Sequence, residues 1–203
     1  MFHKLSTRLV AAVLSVVLFS GTAATAFAAR PLSGTSTGTT TRTEDSRRNR
    51  GEERRSDASP FKGEHDAIER IREKSFPKLE SSYAVIGHAT KDYNCIAWSL
   101  GVTTKWVWPG TATDDFDKLD GQYGFRRMTK LDFSVQKGVE KIVLYGKKVD
   151  GKMTMTHQAR QMKDGTWTSK LGEMGLIRHA SPDSLDGPDY GYPVAVYYRK
   201  IQS

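Results

Sequence analysis

The sequence predicts an α+β domain, and three observations carry that expectation. Short stretches in the first half place apolar residues at helical spacing. Stretches from Val139 onward alternate as strands do. Two Asp-Gly pairs, Asp150-Gly151 and Asp164-Gly165, fall where tight hairpin turns belong. Helices followed by an antiparallel meander is an α+β order.

The elements follow in turn. "EHDAIERIREK", Glu64 to Lys74, sets Ala67, Ile68 and Ile71 on one face and charges elsewhere, an amphipathic helix ending before Pro77. In "YNCIAWSLG", Ile96, Ala97 and Leu100 keep helical spacing, Asn94 is an N-cap residue and Gly101 a C-terminal stop. "TTKWVWPG" reads as an aromatic loop and "DDFDKLDGQYGF" as a short helix. "VEKIVLYG", "MTMTHQARQM" and "TWTSKLG" read as strands joined by the two Asp-Gly turns. In "SPDSL", Ser181 suits an N-cap and Pro182 the first helical position. "GYPVAVYYRKI" closes the chain as a strand.

The 63–203 segment is one domain by length. Before it, Lys4 and Arg8 precede the apolar run "LVAAVLSVVLF", which ends in "ATAFA". That is the order of a secretory signal peptide over residues 1–28, too short to span a bilayer, which takes about 20 apolar residues. Residues 29–62 are rich in Ser, Thr, Gly, Arg and Glu, a composition that does not support a packed core and predicts a disordered linker. The expected location is secreted or periplasmic, with no transmembrane segment after cleavage.

The formal charge of +8 is unevenly spread. Residues 1–62 hold 10 Lys and Arg against 5 Asp and Glu, and residues 63–203 hold 21 against 18. The domain is nearly balanced, so no specific nucleic-acid partner is expected. There is no phosphate-loop motif and no zinc-ligand spacing, so neither a cofactor nor a metal is expected.

Cys95 is the only cysteine, in a chain that reads as exported. At the first position of a helix, unpaired N–H groups and the helix dipole favour thiolate. A nucleophilic thiol needs a base, usually His. Of the five histidines, His157, inside an alternating strand, is the best base candidate. Ser169 on the next strand is the candidate to orient it, with Lys170 beside it as a competing charge. Asn94, Trp106, Trp108 and His88 are candidates for the substrate-binding surroundings, while Trp98 and Trp167 suit the core. A lone cysteine equally suits a small buried hydrophobe, and His157 a structural histidine.

The order of a helix-start Cys, a strand His and a polar residue on the next strand resembles the papain-like fold of NlpC-type cell-wall cysteine peptidases and amidases. "NCIAW", "WVWP", "THQARQ" and "WTSKLG" also resemble an uncharacterised bacterial family of papain-like appearance, over roughly residues 83–199. That resemblance implies a thiol-dependent amide hydrolase or acyl transferase acting on a peptide or peptidoglycan-like substrate, with Cys95 attacking, His157 moving the proton and Ser169 orienting the ring. Two departures stand out: Asn precedes the Cys where those enzymes usually carry Asp, and Ser stands where they usually carry His, Asn, Gln or Asp. The alternative is a non-catalytic papain-like module, or a secreted effector, that binds a glycan, peptide or protein partner.

Overall fold

The computed structural model describes residues 59–80 and 83–201. The expected signal peptide, residues 29–58 of the expected linker, and residues 81–82 and 202–203 fall outside the described residues. Among the described residues no helix is long and apolar enough to cross a membrane.

Seven strands form one antiparallel sheet with helices against both faces. In chain order the elements are α1 (Lys62–Ser75), β1 (Ala84–Gly87), α2 (Cys95–Ser99), α3 (Thr113–Gln122), β2 (Arg126–Arg127), β3 (Val139–Val149), β4 (Lys152–Gln161), β5 (Trp167–Lys170), β6 (Leu176–His179), a 3-10 turn (Pro182–Leu185) and β7 (Tyr192–Lys200). The sheet runs β1-β6-β5-β4-β3-β7-β2. The meander β3 to β6 is therefore continuous. β7 returns to the far side of β3, and β1 and β2 close the two edges. β1 lies between α1 and α2 in the sequence, so the helices do not all precede the sheet as expected.

Local chemistry explains the hairpins. Asp150 and Gly151 both have positive φ, 50° and 76°. A two-residue turn that follows the sheet's twist requires this. At the second turn, Asp164 Oδ1 accepts from the Thr166 N–H at 3.0 Å, and Met162 N–H reaches Thr166 O at 2.7 Å.

Each face of the sheet buries its own apolar layer. On the first, Val143, Tyr145, Ala159, Trp167, Ile177 and Val196 pack against Ile68 and Phe76 of the α1 region and against Leu185. On the second, Ile142, Leu144, Met155, Ala195 and Tyr197 pack against Cys95, Ile96 and Leu100 of the α2 region and Phe116 of α3. Alternation along β3 divides the layers, since successive side chains of a strand point to opposite faces.

One irregularity decides the geometry of the site. Tyr145 of β3 lies opposite His157 of β4, yet the next residue, Gly146, lies opposite Met155. Thr156 is thus an extra residue, a β-bulge. Its hydroxyl donates to Tyr190 O at 2.6 Å, which holds it out of the ladder. The bulge reverses the alternation, so Met155 enters the second layer while His157 enters the first.

Candidate functional site

The site begins at the start of α2. Asn94 is extended, and its Oδ1 accepts from the Ala97 N–H at 3.1 Å, the N-cap bond that its place before the helix predicts. The same side chain does more. Its Oδ1 also accepts from the Val107 N–H at 3.2 Å, and its Nδ2 donates to Val107 O at 2.8 Å. Asn94 therefore joins the helix to the aromatic loop. Its side chain is occupied by the fold and is not a free group for binding substrate.

Cys95 follows, only 5% exposed. Removal from water pushes its thiol up to about 11, although the backbone of Gln158 and of Ile96 and the charge of Lys170 act the other way. This corrects the expectation of an activated thiolate. Burial outweighs the N-terminus of a five-residue helix, because desolvation disfavours the charged form.

His157 is not beside the thiol. Directly opposed residues of antiparallel strands project from one face. Leu144 opposes Gln158, and Tyr145 opposes His157. Leu144 belongs to the layer of Cys95, and Tyr145 to the layer of α1. The His157 ring stacks on Tyr190 at 4.0 Å and tilts against Tyr145 at 5.3 Å. Among the described residues neither ring nitrogen has a hydrogen-bond partner. The sheet separates the sulfur from the imidazole, and the Thr156 bulge is the cause.

Ser169 meets a different histidine. Its Oγ lies 3.0 Å from His179 Nε2, and His179 Nδ1 lies 2.8 Å from Ser181 O. A carbonyl only accepts, so Nδ1 carries the ring proton and donates it. Burial brings His179 down to about 4, and the ring is neutral at pH 7. Nε2 then accepts from the Ser169 hydroxyl. Ser169 is fully buried, so this pair is enclosed in the α1 layer.

Lys170, the next residue, takes the opposite face and approaches the thiol. Its Nζ donates to Thr90 O at 3.0 Å, Gly172 O at 2.6 Å and Met174 O at 2.6 Å, and lies 5.5 Å from the Tyr93 ring centroid. Burial lowers its pKa to about 8. Also on this face, Ser99 Oγ donates to Gln158 Oε1 at 2.7 Å, and Gln158 Nε2 donates to Asp120 Oδ2 at 2.8 Å. This chain ties α2, β4 and α3 together. The sequence reasoning missed it. The available signal was a Gln two residues from an Arg at strand spacing, both on the face that α2 covers.

The remaining candidates lie apart. His88 is exposed, 2.9 Å from Glu64 Oε1 of α1 and edge-on to Phe61 at 4.8 Å, so it fastens β1 to α1 and leaves the thiol alone. Trp167 is buried as expected, and Trp98 is half-buried with its Nε1 donating to Thr168 Oγ1 at 3.1 Å. Trp106 and Trp108 are 46% and 51% exposed. Trp106 Nε1 donates to Lys91 O at 2.5 Å, and Trp108 sits edge-on to Phe116 at 6.5 Å. Cavities of about 440, 420 and 760 Å³ open elsewhere, and neither Cys95 nor His157 lines them. Among the described residues no cluster of His, Cys, Asp and Glu is arranged to hold a metal ion.

These surroundings set an expectation for the thiol. In the folded protein at pH 7 a thiol reagent should label Cys95 only at the rate of opening, and labelling should become fast in denaturant. Rapid labelling of the native protein, with a rate that rises near neutral pH, would contradict the burial described above.

Residues 84–198 match the model of a family described as Domain of unknown function (DUF7689). No curated protein and no solved structure matches the chain.

Proposed function

The chain belongs to the DUF7689 family, and we propose that it is an exported binding module that holds a peptide or glycan partner on the aromatic loop around Trp106 and Trp108. The observation that carries this reading is that loop. Two indoles are about half exposed, and the backbone between them is fastened by two hydrogen bonds with Asn94, one donated by its Nδ2 to Val107 O and one accepted by its Oδ1 from the Val107 N–H. Large rigid aromatic groups offer contact area with little conformational entropy to lose on binding.

The scaffold we assign is papain-like: a short helix beginning at Cys95 lies on an antiparallel sheet, anchored by Ser99 to β4 and by Trp98 to β5. The thiol-hydrolase reading of the same scaffold requires Cys95 and His157 to meet. His157 would have to cross the sheet, and a buried thiol near 11 would have to ionise. Both work against nucleophilic catalysis and favour the binding reading.

The test measures binding and turnover together. The mature protein is sedimented with insoluble peptidoglycan and with other insoluble polysaccharides, and newly released amines are counted. Retention without amine release is expected, unchanged in Cys95→Ser and lost in the Trp106→Ala, Trp108→Ala double variant. Amine release by the wild type that disappears in Cys95→Ser would overturn the binding-only reading.

A further inference from the structure

We propose that the Trp106–Trp108 segment is an open pairing edge that takes an extended peptide as an added strand, with two alternate side chains of that peptide lying on the two indoles. This rests on the binding-module reading and names its ligand class.

Both the N–H and the C=O of Val107 bond to one side chain, that of Asn94, at 3.2 and 2.8 Å. The two main-chain groups of a residue point the same way only in extended backbone, and the neighbouring residues then point theirs the opposite way. Asn94 therefore acts as a neighbouring strand on one side of this segment. Among the described residues the N–H and C=O of Trp106 and of Trp108 have no hydrogen-bond partner within the chain, and extended backbone on either side of Val107 turns these four groups away from Asn94.

Val107 packs against the layer that holds Cys95, while the indoles of Trp106 and Trp108 on either side of it are each about half exposed, that of Trp108 resting edge-on against Phe116. Lys91 O fixes the Trp106 indole through Nε1. The segment thus offers a pairing pattern of donor and acceptor at every second residue, beside two exposed aromatic faces. A peptide backbone repeats donors and acceptors at that interval and can form a ladder, as in strand addition to an open edge. A sugar chain has no such repeat. The peptide's anchors are apolar or cationic side chains two residues apart, since both kinds lie well on an indole face.

A phage-displayed heptapeptide library is selected on the wild-type protein and counter-selected on the Trp106→Ala, Trp108→Ala double variant, after its melting temperature has shown that it is folded. The best sequence is synthesised, and its affinity is measured by fluorescence anisotropy. Copies methylated at single backbone nitrogens are measured beside it. Enriched peptides with apolar or cationic residues at alternate positions are expected. Methylation of nitrogens that face the edge should weaken binding about tenfold or more, the loss of one well-made hydrogen bond, while methylation of the intervening nitrogens should change it little. Cys95→Ser should bind as the wild type does. If no wild-type-selective peptide emerges, or if affinity ignores the position of the methyl group, the strand-addition proposal fails. If polysaccharide retention still depends on the two tryptophans, the binding module stands with a glycan as its ligand. If neither peptide nor polysaccharide depends on them, both readings fall.

Discussion

Asn94→Ala should destabilise the protein by about 2–4 kcal/mol and weaken ligand binding by the aromatic loop. The residue is buried, and its side chain makes three hydrogen bonds. Loss of an N-cap costs about 1 kcal/mol. The Val107 N–H and C=O lose their partners as well, and an unsatisfied buried polar group costs about 1–3 kcal/mol. Access to water through the exposed loop reduces that second contribution, so the sum is set below the simple total. Asn94→Asp separates the two roles. Its carboxylate still caps α2, but it cannot donate to Val107 O. It should recover the helix-cap part and leave the loop fastened by one bond. Urea denaturation reads the stability, and hydrogen exchange of the Val107 amide reads the loop. If Asn94→Ala matches the wild type in both, Asn94 does not fasten the loop.

This residue also shows how far the sequence could be read. Asn before an apolar helical pattern identified the cap at once, because a cap bond spans only three residues. Its second role spans thirteen residues of an irregular loop and has no local pattern. The hairpins were legible for the same reason as the cap: Asp-Gly fixes its own backbone. The face of His157 was not legible. Alternation through "MTMTHQ" sets Met155 and His157 on one side, which would bring the imidazole to the layer of the cysteine. The Thr156 bulge breaks that alternation, and what holds the bulge is Tyr190, 34 residues away. The partner of Ser169 was hidden in a similar way. β6 has four residues and no strong pattern, so the strand that brings His179 beside Ser169 went unread.

Acidification from pH 6.5 to 5 should destabilise the protein by about 1–2 kcal/mol, and one histidine accounts for the sign. Burial lowers the pKa of His157 well below 6.5 and that of His179 to about 4. Across this window the unfolded chain takes up a proton at each ring and the folded protein does not. Stability is therefore full above about 6.5 and falls as the pH drops. Asp120 opposes them. Burial raises its carboxyl to about 7 from an ordinary 3.8, so here the folded protein keeps a proton that the unfolded chain has lost. Its contribution shrinks as pH rises through the same window. Two histidines against one aspartate leave a net uptake of one proton on unfolding, at about 1.4 kcal/mol per pH unit. The lowered carboxylates Glu64, Glu69 and Glu140 act mainly below this range, since their ordinary value is 4.5. Asp120→Asn keeps an acceptor for Gln158 and removes the opposing group, so its loss over the window should rise to about 3–4 kcal/mol. His157→Phe should do the reverse. It removes one titrating ring, flattens the profile and raises stability at pH 7, because a buried ring with two unpartnered nitrogens gives way to one with no polar atom. Denaturant titrations at pH 5, 5.75 and 6.5 on the three proteins give the slopes. A His157→Phe profile parallel to the wild type would mean that His157 is charged or solvated in the folded protein, and its place between Tyr145 and Tyr190 would then be wrong.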